Sequence, residues 1–340
     1  MQKSIVSYRQ QQEKVNAHFQ AQSSYWKKIY ARKTVYSEIY RARQARALAW
    51  IDDLALAPGS RVLEVGCGAG FLSVALAQRG LRVYAIDSAD TMVELTRQHA
   101  VESGITGLLT VDVGDVYALA FEDDSFDLVI ALGVTSWLAR PELAIREMAR
   151  VTLPGGHVLL TNGNQARLNH LLDPWLNPAL APLRRGIKGM LERLGLLHSS
   201  AEPTVRERRF IDEALASAEL IKTRGMTLGF GPFTFLRHKV LPERLGIALQ
   251  HQLQHLADRN LPFFRSTGMS YLVLARRSSV VPVFPTINKR RQLGLRRSEV
   301  TIECDAPKQV DASSSMHEEN LLQVYQEPQR DIPQFDLRHT

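Results

Sequence analysis

One segment constrains the fold more than any other: Val62-Leu63-Glu64-Val65-Gly66-Cys67-Gly68-Ala69-Gly70, an apolar strand running straight into three glycines spaced by two. Such a loop lets backbone approach a ligand closely, because no Cβ stands in the way. At the C-terminal end of a strand that opens a helix, it sits where open α/β sheets bind their ligands. The flanking chain agrees. Short β-branched runs at 61–65, 82–86, 108–113, 126–131 and 157–161 alternate with amphipathic stretches at 71–79, 89–103 and 142–151. That alternation predicts an α/β fold, a doubly wound, mostly parallel sheet with helices on both faces.

The segments outside this core read differently. Residues 15–56 follow a helical pattern rich in aromatics, from Phe19 through Tyr25, Trp26, Tyr30 and Tyr36 to Tyr40, until Pro58-Gly59-Ser60 breaks it. Residues 1–57 are therefore expected to form a helical N-terminal cap, and 58–165 the α/β core. Over 166–205, Pro174, Pro178 and Pro182 forbid one long helix, and an amphipathic helix at 183–197 follows. This insert comes after the fifth strand. A helix at 210–220, a strand at 223–230, a helix at 243–257 and a strand at 270–276 return the chain to the α/β pattern over 206–277. The few aromatics and the Ser313-Ser314-Ser315 run beyond predict a disordered tail over 278–340.

Charge narrows the function. The chain carries 42 Lys and Arg against 35 Asp and Glu, a net +7. The excess lies in the flanks: residues 1–50 hold ten basic against two acidic side chains, whereas 51–165 hold seven against fifteen. An acidic middle between basic ends does not make a continuous phosphate-binding face, so no stable nucleic-acid partner is expected; it suits a site that receives a cationic ligand. Two cysteines, Cys67 and Cys304, build neither a disulfide framework nor a zinc site, and no metal is expected. The polar N-terminus lacks an apolar signal core, which points to the cytoplasm.

Two carboxylates accompany the loop. Asp87 ends the second strand, where an ionised Asp can accept both hydroxyls of a ribose; Ser88 or Asp90 can cap the next helix and leave it free. Asp115, in Gly114-Asp115-Val116 after the third strand, can accept from an exocyclic adenine amine while the following N–H donates to the ring. Asp112 is read as lying within that strand, where a carboxylate needs a partner. A dinucleotide fingerprint would need its third glycine at Phe71.

These residues resemble the class I S-adenosylmethionine-dependent methyltransferases, in particular the small-molecule branch acting on quinones and natural products. The resemblance covers residues 15–165 well and 205–277 more loosely. It implies a Rossmann-like core with S-adenosyl-L-methionine as cofactor. It assigns Glu64, Gly66, Gly68 and Gly70, with Cys67 among them, to the methionine part and ribose. Asp87, next to Ser88, takes the ribose, and Asp115, Val116 and Met92 the adenine, while Leu132-Gly133-Val134 forms a cofactor-facing strand end. It further implies methyl transfer to an O, N or C atom of an apolar small molecule such as a quinone, polyketide or lipid-like compound. The insert at 166–205 would cover that substrate or rest against a membrane surface. His18 and His170 are the candidate general bases. The alternatives are a nucleic-acid or protein methyltransferase and a cofactor-binding relative without catalysis.

Overall fold

The computed structural model describes residues 2–105, 107–182, 203–236 and 238–279. The amphipathic helix at 183–197 and all but the first two residues of the tail at 278–340 lie outside the described residues.

Seven strands form one sheet in the order β3-β2-β1-β4-β5-β7-β6. β1 (Arg61–Val65), β2 (Arg82–Asp87), β3 (Leu109–Val113), β4 (Phe126–Ala131) and β5 (Thr152–Gly163) run parallel. β7 (Ser270–Arg277) inserts antiparallel between β5 and β6 (Leu220–Leu228). The strand order reverses between β1 and β4, so a crevice opens there at the C-terminal strand ends. Leu63, Val129 and Val158 are buried on one face of the sheet, and Val62, Leu128 and Leu159 on the other. The period-2 alternation of a strand thus supplies two cores. Helices cover both.

α4 (Phe71–Ala77), α5 (Asp90–Glu102) and α6 (Pro141–Val151) are the crossovers read from the sequence. α6 starts on Pro141, whose missing N–H costs nothing in the first turn. Asp112 ends up exposed near the end of β3 and pairs with Arg97 at 3.3 Å. Most other bounds shift by one to three residues, the strand expected at 223–230 running from Leu220 to Leu228, and two differences have a plain cause. β5 begins at Thr152, five residues early, because the register shift against Phe126 and Leu128 absorbs Pro154-Gly155-Gly156 within the strand. α8 (Arg208–Ser217) ends before Leu220, since Glu219 turns through a left-handed φ of 58° and Leu220 already starts β6.

The N-terminal helical pattern divides into α1 (Gln2–Ala21), α2 (Ser23–Lys28) and α3 (Val35–Asp52). Thr34 restarts it: its hydroxyl caps α3 by accepting from the Ser37 N–H at 3.2 Å. The far half of α3 packs as core, with Ala47, Trp50 and Ile51 buried against Val62 and Leu76. α1 instead lies across the strand ends, where Gln12 and Asn16 bond Ser88. In the C-terminal part, α7 (Leu168–Leu172) is short and α9 (Glu243–Asp258) packs beside α3.

Candidate functional site

The loop after β1 is pinned to β2 before any side chain is considered. The N–H groups of Gly66 and Cys67 both donate to the Ile86 carbonyl, at 2.7 and 3.1 Å. Gly68 adopts a φ of 58°, and a Cβ there would meet nothing within 4 Å but open cavity. Gly70 plays another part. It starts α4 in a left-handed conformation, and a Cβ would come within 2.6 Å of Thr96 Cγ2, so only glycine lets α4 seat against α5.

Above the loop lies a cavity walled on one side by the strand ends. Its lining includes Glu64, Gly66, Cys67 and Gly68 from the loop, Asp87, Ser88 and Met92 from the β2–α5 turn, and Asp115, Val116 and Leu132 from the next two strand ends. The structure therefore brings together ten of the eleven residues read as cofactor-binding. Gly70 is the one outside the lining.

Asp87 is held by backbone. Its Oδ2 accepts from the Gly68 N–H and its Oδ1 from the Ala89 N–H, both at 3.0 Å. Burial raises its pKa and these N–H donors oppose the rise. Ser88 and Asp90 do not cap α5 as expected: Ala89 stands at the N-cap with no side-chain cap, because the Ser88 hydroxyl is engaged by α1. Asp115 closes a turn by accepting from the Tyr117 N–H at 2.9 Å. Glu64 is fully enclosed, and burial pushes its carboxyl up to about 8; the Ser73 hydroxyl, which donates to it, opposes the shift and nearby Asp87 adds to it. Burial likewise pushes the Cys67 thiol up, so it stays a neutral packing group.

The opposite wall was only partly legible. It holds Phe19, Trp26 and Tyr30 from the N-terminal helices, Tyr40 and Arg43 from α3, and Trp137 from the turn after β4. The aromatic stripe signalled its existence, but nothing in the sequence paired Trp137 with Phe19, whose rings lie 5.0 Å apart. Arg43 was missed altogether. It packs over the Tyr40 ring at 4.7 Å, and its Nε is buried without a hydrogen-bond partner. Trp26 Nε1 is buried and unpartnered too. Phe71 fills the place where a dinucleotide site needs glycine, packed between Tyr30, tilted at 4.4 Å, and His99, edge-on at 4.7 Å.

Neither candidate base is among the lining residues. His18 packs against Trp137, ring centroids 5.2 Å apart. His170 is buried in α7, where Arg167 contacts its Nε2.

Comparison with known proteins reaches the same strand ends. Residues 63–160 match the family described as methyltransferase domain. Those residues therefore carry a methyltransferase domain. The matched span runs from β1 to β5 and thus contains every strand end of the cavity. A Pseudomonas aeruginosa ubiquinone biosynthesis O-methyltransferase is 36% identical over 119 residues, 34% of this chain and 50% of the relative. A Stutzerimonas stutzeri protein of the same name is 31% identical over 152 residues, covering 44% and 62%. The chain thus spans about half the length of the curated relatives it matches. Among solved structures, a chain of a Haloferax volcanii complex with a methyltransferase activator shares the methyltransferase-domain fold, with a TM-score of 0.51, 18% identity, and 76% and 97% coverage.

Proposed function

We propose that the whole protein transfers a methyl group from S-adenosylmethionine to an O, N or C atom of a small molecule with a large apolar or aromatic body. The observation that carries this reading is the pairing of the two walls: backbone and carboxylates on the strand ends, aromatic rings on the helices. The residues fit the cofactor. Gly68 leaves a cradle that a Cβ would fill, and Arg43 Nε and Trp26 Nε1 are buried donors awaiting an acceptor. Asp87 would hold the ribose hydroxyls with its remaining lone pairs, and Asp115, Val116 and Met92 would frame the adenine. Arg43, beside the Tyr30 hydroxyl, would take the amino-acid carboxylate. When bound, the cofactor supplies an activated methyl group for in-line displacement.

The chain's own task is then to align and enclose. Positioning accounts for about 7–11 kcal/mol of barrier in favourable intramolecular cases. The Phe19, Trp26 and Trp137 rings would exclude water and press an apolar acceptor toward the strand ends. Glu64 and the tyrosines, whose pKa values burial raises, stay protonated near neutral pH and would act as donors. Of the two histidines, His18 packs against a cavity residue, Trp137, and would be the one to serve a protonated acceptor.

The deciding experiment incubates the protein with S-adenosylmethionine and fractionated cell metabolites and follows product mass. A new species heavier by one methyl group is expected. Tight binding of a nicotinamide dinucleotide in place of S-adenosylmethionine would overturn the reading.

A further inference from the structure

After β6 the chain makes a short hairpin, Thr234–Phe235 paired with His238–Lys239, and none of these residues lines the cavity. The base of the hairpin is fixed from two sides. Thr234 donates its hydroxyl to Asp173 Oδ2 at 2.6 Å, which ties it to the turn after α7. The backbone around it crowds the start of α3: a Cβ on Gly231 would come within 2.9 Å of the Val35 side chain, and one on Gly246 of α9 within 2.8 Å. The Val35 N–H in turn donates to Glu243 Oε2 at 2.9 Å, in the first turn of α9. Hairpin, α3 start and α9 start are thus joined into one face.

That face carries large apolar side chains that no core covers. Phe235 is 52% exposed, Leu236 49%, Val240 55% and Leu245 59%, and Leu172 and Trp175, on either side of Asp173, are exposed as well. Single exposed apolar residues are ordinary; a joined set of them marks a contact surface. Leu236 adds a backbone cost. Its φ of 49° is left-handed, a turn conformation that Gly, Asn or Asp adopts with less strain. A bulky side chain held in such a turn with half its surface open points to a use outside the chain.

The charges around the apolar tip have one sign to spare. The hairpin reads Phe235-Leu236-Arg237-His238-Lys239-Val240, and Arg32 and Lys33 lie exposed just before Val35. The carboxylates of this face are already engaged. Glu243 holds Lys239 at 2.6 Å besides the Val35 N–H, and Glu38 holds Arg41 at 2.6 Å. Arg32, Lys33 and the exposed Arg244 form no ion pair among the described residues. A second copy of the chain is a poor occupant, because a two-fold interface would set this cationic face against itself.

We propose that this face docks on an anionic lipid surface, Phe235 and Leu236 entering the headgroup boundary while Arg32, Lys33 and Arg244 meet lipid phosphates. Apolar side chains at a rigid tip and cations around it are the two contributions that hold a protein on such a surface without spanning it. Arg32 and Lys33 join α2 to α3, and the same two helices supply Trp26, Tyr30 and Tyr40 to the cavity wall. The docked protein would therefore present its aromatic wall close to the lipid. The docking stands on this face alone and is independent of the reaction in the cavity.

The test sediments the full chain with vesicles of phosphatidylcholine alone and of phosphatidylcholine and phosphatidylglycerol in equal parts. Binding to the anionic vesicles should be at least about tenfold tighter and should weaken as salt is added. Phe235→Ser with Leu236→Asn should remove most of it; Asn suits the left-handed turn, so the melting temperature should hold. Lys33→Gln with Arg244→Gln should lower the anionic preference several-fold with the tip intact, and this pair carries the test if the first does not fold. S-adenosylhomocysteine affinity should be unchanged in both, since none of the four residues lines the cavity. Equal binding to both vesicles overturns the proposal, as do variants that bind like the parent. Light scattering supplies the remaining outcome: a dimer that Leu236→Asn dissociates would assign the face to a second copy and overturn the lipid contact.

Discussion

The two walls of the cavity are built on opposite principles. The strand-end wall uses main chain and short acids: Gly66 and Cys67 are tied to Ile86, and Asp87 is tied to Gly68 and Ala89. The helical wall uses large rings and one unpaired arginine, contributed by α1, α2, α3 and the turn at Trp137. Sheet hydrogen bonds fix the first wall to within a register, because slipping one strand by a residue would turn every side chain over. Ring packing fixes the second, and ring packing tolerates sliding. A rigid wall suits recognition of an invariant cofactor; an adaptable one suits closing over it and admitting an acceptor.

Removing the adaptable wall should have the largest effect. Deleting residues 1–33 keeps the Thr34 cap and the buried half of α3 but takes away Phe19, Trp26 and Tyr30. Circular dichroism should still report a folded sheet. S-adenosylhomocysteine affinity should fall about a hundredfold, as two or more well-packed aromatic anchors at about 1–2 kcal/mol each would give. A truncated protein that unfolds would break the contrast and make these rings core.

In the rigid wall, Asp87→Ala should weaken S-adenosylhomocysteine binding by about 1–3 kcal/mol, the usual cost of removing a buried hydrogen-bonding partner. Because the Gly68 and Ala89 N–H groups also lose their acceptor, the melting temperature should fall with it. Calorimetry and thermal unfolding measure the two. Unchanged affinity would remove Asp87 from the ribose site.

Glu64 offers a pH-dependent test of the same wall. Its carboxyl titrates at about 8 in the folded chain against an ordinary 4.5, so between those values the native state holds a proton that the unfolded chain has released. Stability attributable to this group is therefore fully present below pH 4.5 and is lost as pH rises toward 8, with a slope of at most about 1.4 kcal/mol per pH unit. Glu64→Gln should flatten that slope in urea unfolding series at pH 5 to 9. An unchanged slope would show that Glu64 ionises freely.

The smallest effect belongs to a single ring. Trp137→Ala should cost about 0.5–1.5 kcal/mol of cofactor or acceptor affinity beyond its buried area, the usual worth of an aromatic pair such as that with Phe19. Fluorescence titration would read it. A loss as large as that of Asp87→Ala would mean that the two walls share the work equally.

The two walls were also unequally legible. Glycines spaced by two, an acid at the next strand end and another after the third strand are local signals, and local signals survive in one dimension. The sheet was legible for the same reason, down to β1 and β4, whose bounds match the sequence reading. What failed was wherever packing overrode local chemistry. Ala89 became the N-cap because Gln12 and Asn16, more than seventy residues earlier, had claimed Ser88. Gly70 had the loop's spacing and a packing role against Thr96. His18 and His170 could be placed near the strand ends, but whether a ring enters the cavity lining is not a property of its own segment.

The amino-acid sequence alone determined the parallel sheet, the place of its crevice and the carboxylates along it, since strand periodicity and turn chemistry act over a few residues. Only the tertiary structure decided that His18 and Phe19 both meet Trp137. Those contacts join residues more than a hundred positions apart, and what selects them is the shape of the space left once the sheet has formed.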